Sequence, residues 1–332
     1  MSRLTAAVIG ALILATLGGR AEAWSSSSAA IVATLTVLAP PVDHLAAGAR
    51  EPQPAAEGMN LAEGDTVIAG PGGAALITFL DGSTVTIEPR SEVVVRQVDS
   101  RNGESSVRLL LLVGRVWARV AQQLARRTSL SLESNAYAAT AHDGLIGAER
   151  RKDGTFVCWT RRGDVTVRDA AGTPLGVLTA GRKLTASPGK EQRVETFQVH
   201  DSTLEITASA NVLPLMQMPD GRRVAGWTLP GVEINQVFGS LTAAGPEARH
   251  IEVPAGLPGP YGVALIGLAD GPFQVTVIGR SQGKAVYRHR ATGSIERGEQ
   301  RRAHVYLYFK EEDAGNATTS RVIGATIEPL RP

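Results

Sequence analysis

The sequence predicts an all-β protein in two parts, a rolled sheet or sandwich followed by a second, antiparallel β-sandwich. Three observations carry this. Glycine (36) and proline (18) are plentiful while aromatics make up only 5%. Short runs rich in Val, Thr, Ile and Leu recur along the whole chain. Turn pairs such as Asp81-Gly82, Asp153-Gly154, Arg162-Gly163 and Ala171-Gly172 punctuate those runs at short intervals. Short strands separated by regular turn signals are the pattern of sandwiches, barrels and rolled sheets.

The chain has 332 residues, enough for about two domains. A hydrophobic content of 43% supports folded cores. Net charge is +2 with the two signs mixed, which gives no electrostatic case for nucleic acid. Cys158 is the only cysteine, so no internal disulfide can form.

The chain divides into three expected segments. Residues 1–23 read as a signal peptide: Arg3, an apolar stretch from Leu4 to Gly19, then Ala21-Glu22-Ala23 before Trp24. An uncleaved anchor is the alternative, although the stretch is short for a membrane span. Residues 24–199 form the first β-domain. Residues 200–332 form the C-terminal β-sandwich, after a composition break near His200 to Pro219.

Within the first domain, Ala29 to Ala39 suits a buried strand ended by Pro40-Pro41, and residues 42–60 look loop-like. A strand follows from Leu61 to Ala69. Asp81-Gly82 then closes a hairpin between Ala74–Leu80 and Ser83–Glu88, because a two-residue turn needs positive φ at its centre. That loop sets Leu76, Thr78 and Leu80 on one face with Ser83, Val85 and Ile87. The first strand is apolar on both faces, so both are expected to be covered. Val93–Val98 is a strand, Asn102-Gly103 a turn, and Ser106–Val113 and Arg115–Gln122 are strands separated by Gly114. Further strands are expected from Leu130 to Val199, with Gly163 marking another turn. In the second domain, Gly262–Leu268 and Phe273–Ile278 make a hairpin at Asp270-Gly271, and Glu311–Thr319 is a polar loop.

Catalytic and metal patterns do not emerge. The six histidines form no HExxH or HxxxH pair, and there is no P-loop, Rossmann fingerprint or G-x-S-x-G elbow. No cofactor is expected. His142-Asp143 is the best acid–base pair, but neighbours on a strand point to opposite faces, and a turn at Asp143-Gly144 explains the aspartate. Cys158 lies between Val157 and Trp159 and reads as a small buried hydrophobe. Trp117 and Trp159 suit core packing better than sugar stacking. Arg150, Arg151, Lys152, Arg161 and Arg162 flank the Asp153-Gly154 turn and could make one patch. That patch is either a charged edge that blocks aggregation or a site for acidic polymers.

Several of these landmarks occur in a recognisable order. Leu61-x-Glu63-Gly64-Asp65-x-Val67 precedes Gly72-Gly-Ala-Ala-Leu-Ile-Thr-Phe-Leu-Asp-Gly-Ser-Thr-Val-Thr-Ile-Glu-Pro89. Leu112-Val-Gly-Arg-Val-Trp117, Arg162-Gly-Asp-Val-Thr-Val167 and Ala180-Gly-Arg182 follow. The set, spanning about Ile31 to Pro188, resembles the domain of the ferric-citrate regulator, or FecR, family. Ser134-Asn135-Ala136 and Gly144-Leu145 depart from that pattern. The second domain weakly resembles β-sandwich modules of secreted bacterial proteins, through Asp220-Gly221-Arg222-Arg223 and Gly259-Pro260-Tyr261.

The resemblance implies a non-enzymatic, extracytoplasmic domain (periplasmic, cell-surface or secreted) for envelope sensing or protein–protein contact. Its expected partner is another envelope protein or a cell-surface polymer. The best-known members carry a cytoplasmic sigma-factor-binding region before a membrane helix. Only three residues precede the apolar stretch here, so the resemblance does not extend to sigma-factor control. The alternative function is an adhesion or envelope module that binds carbohydrate or polyanion.

Overall fold

The computed structural model describes residues 31–101, 104–121, 127–197, 200–310 and 321–331. The expected leader at 1–23, the Asn102-Gly103 turn and the polar loop at 311–319 lie outside them. Every described element is a strand.

The first half opens with β1 (Ile31–Ala39), β2 (Val42–Leu45), β3 (Gln53–Pro54), β4 (Met59–Ala62), β5 (Thr66–Ala69), β6 (Ala74–Phe79), β7 (Thr84–Ile87) and β8 (Ser91–Arg101). The long β9 (Glu104–Val120) follows, then β10 (Arg127–Glu133), β11 (Tyr137–Ala141), β12 (Gly144–Arg150) and β13 (Phe156–Arg162). β14 (Val165–Asp169), β15 (Pro174–Leu178), β16 (Arg182–Ala186) and β17 (Arg193–Thr196) complete it. Two sheets result. One runs β4-β1-β6-β7-β9-β12-β13-β16-β17. The other runs β3-β2-β5-β8-β9-β10-β11-β14-β15. All pairs are antiparallel except β9 with β10.

β9 belongs to both sheets, so what reads in sequence as two strands is one bent strand. Residues up to Val113 pair with β8, and Val116 onward pair with β7 and β12. The change occurs at Gly114, which has φ +93°. A Cβ there would lie 2.3 Å from Ser91 Oγ and 2.6 Å from the Arg90 carbonyl, so only glycine fits. Between the sheets lies one apolar core containing Leu35, Ile77, Val107, Leu130, Ala148, Phe156 and Cys158.

The second half contains β18 (Ser202–Ser209), β19 (Val212–Gln217), β20 (Val224–Leu229), β21 (Val232–Asn235), β22 (Leu241–Ala244) and β23 (Ala248–Pro254). It continues with β24 (Pro260–Gly267), β25 (Gly271–Ser281), β26 (Lys284–Ile295), β27 (Gln300–Phe309) and β28 (Val322–Ile327). A five-stranded sheet, β22-β23-β18-β25-β26, faces a six-stranded one, β21-β20-β19-β24-β27-β28. Leu204, Ile206, Met216, Tyr261, Val277 and Val305 fill the space between them. This is the antiparallel sandwich expected from the alternating runs.

Four expectations need correction. The hairpin at Asp81 has a three-residue loop, not two. Phe79 and Ser83 are joined by backbone hydrogen bonding, and Gly82 N donates to Phe79 O at 2.9 Å. Gly82 (φ +84°) supplies the left-handed residue that ends such a loop. The register therefore shifts by one: Ile77 faces Val85 and Ala75 faces Ile87. Leu80 moves out to the loop tip, 77% exposed. A one-residue slip exchanges the faces, and burial of Ile77, Phe79, Val85 and Ile87 together selects the longer loop.

Residues 42–60 are not simply loop, because β2 and β4 find ready partners in β5 and β1. The break at 200–219 holds β18 and β19, which are interior strands of their sheets. Finally, β24 and β25 do not pair. The Asp270-Gly271 link carries the chain from one sheet to the other, and β25 pairs with β18 and β26 instead.

Candidate functional site

The outer face of β9, β12 and β13 carries a row of large side chains. Trp117 and Trp159 both sit opposite Gly147, one on each side. Glycine makes room for them: a Cβ at Gly147 would lie 2.9 Å from Trp117 Cε3. Both indoles are buried, but not in the core between the sheets. With Leu145 and Val157 they form a separate apolar cluster that the second half covers through Phe238 and Leu241. The Phe238 ring centre is 5.5 Å from that of Trp117 and 5.4 Å from that of Trp159, the latter edge-on. Phe197 packs against Trp159 at 5.7 Å. The Arg115 guanidinium lies 4.0 Å from the Phe238 ring centre, a cation–π contact.

Polar contacts surround this aromatic patch and cross between the halves. Trp117 Nε1 donates to Asn235 Oδ1 at 3.0 Å. Arg161 Nη2 lies 2.7 Å from Glu252 Oε1. Arg162 pairs with Glu233 at 3.1 Å and donates to the Thr242 carbonyl at 2.6 Å. Arg222 donates to the Leu38 carbonyl at 2.9 Å. Burial presses the Arg119 guanidinium below its ordinary pKa, with neighbouring Glu233 opposing that effect. An apolar centre ringed by hydrogen-bonded charges is how a specific interface is built.

At one end of the seam is a cleft of about 230 Å³ lined by Glu88, Arg115, His200, Met218, Arg223 and Phe238, among others. The Glu88 carboxylate is buried between Arg223 Nη1 at 3.6 Å and Arg115 Nη2 at 3.8 Å. Arg223 also donates through Nε to Asp220 Oδ2 at 2.7 Å. Burial alone would lower the Arg223 pKa, yet Glu88 and Asp220 hold it above its usual value.

The sequence-selected residues divide as follows. Asp81 does more than shape the turn: Oδ1 accepts from Ser83 N at 2.8 Å, and Oδ2 accepts from Ser105 Oγ at 3.1 Å, tying the hairpin to the other sheet. Gly82 and Gly114 take positive φ as described, and Gly163 does so between β13 and β14 at +78°, tight against the Asp143 carbonyl. The five basic residues do not form one patch. Arg150, Arg151 and Lys152 sit at the turn end of the β12–β13 hairpin, where Arg150 contacts the Leu112 carbonyl and Arg151 pairs with Glu149. Arg161 and Arg162 lie at the far end, five and six residues along β13 from Phe156, or about 16–20 Å at the usual rise per strand residue. There they are committed to the second half.

Cys158 is buried, and burial pushes its thiol pKa upward. His142 Nδ1 contacts the Thr128 carbonyl at 3.2 Å. Among the described residues no cluster of His, Cys, Asp or Glu is placed to hold a metal ion, and no helix is long and apolar enough to cross a membrane. The partners across the seam escaped the sequence reading. Their one local signal is Val237-Phe238, two adjacent apolar residues in the short link between β21 and β22.

Comparison with known proteins places the first side of this seam. The family described as FecR protein matches residues 65–166, a range that contains Glu88, Trp117, Trp159, Arg161 and Arg162. No curated protein matches the sequence. Two crystal structures of a proposed anti-sigma factor from Parabacteroides distasonis are similar in part. One shows 13% identity and a TM-score of 0.32, the other 12% and 0.33. Each comparison covers 40% of this chain and 59% of that protein. Residues 65–166 of this chain are a FecR domain.

Proposed function

We propose that this protein is a non-enzymatic, exported sensing and interaction protein of the cell envelope. In this reading residues 1–23 are a signal peptide, 24–199 a FecR-like domain and 200–332 a sandwich that works with it. One observation carries the proposal: the FecR domain presents Trp117 and Trp159 on its outer face, and the sandwich covers them through Phe238 and a ring of polar contacts across the seam. A domain fixed this way to its neighbour can pass a binding event on one half to the other. The partner is another envelope protein.

Fractionation with the mature N-terminus sequenced, followed by crosslinking of the intact protein in cells, tests this. An extracytoplasmic protein crosslinked to a membrane signalling protein is the expected result. Cytoplasmic location, or turnover of a substrate by the purified chain, would overturn it.

A further inference from the structure

The outer face of the six-stranded sheet holds a second feature, independent of the seam. A trough of about 570 Å³ crosses β19, β24 and β27. Its floor is low because Gly262 and Ala264 stand where larger side chains would fill it. Gly262 does not need positive φ, so backbone conformation does not explain it; a Cβ there would crowd Gln217 at 3.2 Å. Planar hydrogen-bonding side chains rim the floor: Gln217, Gln300, Arg302 and His304.

Along β27 the outward residues continue as Tyr306 and Tyr308, 38% and 50% exposed. Glu328 organises this rim. One oxygen accepts from Tyr306 Oη at 3.1 Å, and the other lies 3.1 Å from His304 Nδ1. That carboxylate is therefore already engaged.

The charge on this face points to an anion. Arg302 makes no ion pair among the described residues; its one side-chain bond is to Gln300 Oε1 at 3.2 Å. Directly opposite it across the sheet edge is Arg331, joined by a pair of backbone hydrogen bonds at 2.8 and 2.9 Å. Cross-strand partners share a face, so two exposed arginines stand side by side. Like charges so placed repel, and among the described residues Glu328 is the carboxylate that Arg331 acts on. A guanidinium fork matches a carboxylate. Side-chain amides, histidine and tyrosine supply hydroxyl partners and amphipathic ring surface.

We infer that this trough binds an acidic oligosaccharide, with a uronate carboxylate at Arg302 and Arg331 and the sugar hydroxyls over Gln217, Gln300 and His304. The reading stands apart from envelope sensing, and either can fail without the other.

Isothermal titration of the full chain with tetragalacturonate tests it. The oligomer should bind, its methyl ester should bind at least tenfold more weakly, and added salt should reduce the difference. Arg302→Ala should weaken binding about tenfold or more, the worth of a charged hydrogen bond, with the thermal midpoint unchanged. Arg302→Lys should fall between, since lysine keeps the charge and loses the fork. Arg151→Ala/Lys152→Ala should bind as the unaltered protein does. The inference is overturned by no binding, by equal affinity for the methyl ester, or by tetraglutamate binding as well as the sugar. Loss of binding at the Arg151/Lys152 variant instead of at Arg302→Ala overturns it too.

Discussion

Replacing Trp117 by phenylalanine probes the seam most directly. The indole is fully buried, its Nε1 donates to Asn235 Oδ1, and its ring packs under Phe238. Phenylalanine keeps part of the ring contact and loses the donor. Asn235 Oδ1 still accepts from Ser240 Oγ, so it is not left bare, and the hydrogen bond is worth about 1 kcal/mol. The missing part of the indole adds about 1–2 kcal/mol at roughly 0.8 kcal/mol per buried methylene equivalent. Trp117→Phe should therefore destabilise by about 2–3 kcal/mol, against about 3–5 kcal/mol for Trp117→Ala. Urea denaturation followed by far-UV circular dichroism measures this. The decisive step is the cycle with Asn235→Ala. The two changes should be non-additive by about 1 kcal/mol, because each removes the same cross-seam bond. A coupling energy below about 0.3 kcal/mol would mean that the halves do not meet through Trp117 and Asn235, and the seam would be wrong.

Three other outcomes follow from the same structure. Gly114→Ala should cost more than about 3 kcal/mol in urea denaturation, since its Cβ meets Ser91 and the Arg90 carbonyl at positive φ. Gly48→Ala, also at positive φ but with nothing within 4 Å, should cost only about 1–2 kcal/mol, and equal costs would refute the close contact at Gly114. The Asp65 carboxylate has a lowered pKa: burial would raise it, but the Ala62 and Ala47 amides and His44, with Nε2 at 3.0 Å, outweigh that. A depressed carboxylate pKa stabilises the fold above its unfolded value near 4, and that contribution is lost as pH falls through the lower folded value. Melting temperature should therefore drop less steeply below pH 4 in Asp65→Asn than in the unaltered protein; identical acid limbs would count against it. Cys158 should resist iodoacetamide in the native state at pH 8 and react fully in urea, whereas native labelling would show that its strand is accessible.

The sequence by itself determined the β class, most strand positions and the turns, because those depend on local chemistry. Alternation reports which side of a strand is apolar, and glycine reports where φ turns positive. Gly82, Gly114 and Gly163 were legible for that reason, and so was the burial of Trp117, Trp159 and Cys158. The ordered landmarks also made the FecR domain legible, though no single one of them did. What only the tertiary structure decided is which apolar face meets which. Periodicity does not distinguish a strand paired with its successor from one that crosses to the opposite sheet, and so β24 and β25 looked like a hairpin. Nor does it separate a two-residue from a three-residue loop at Asp81, where burial of Ile77 and Val85 together sets the register. Charge is the least local property of all. Arg161 and Arg162 looked like the partners of Arg150 and Arg151, but strand length separates them and Glu252 and Glu233 claim them. Arg302 and Arg331 are 29 residues apart in the chain and adjacent only because the sheet edge brings them together.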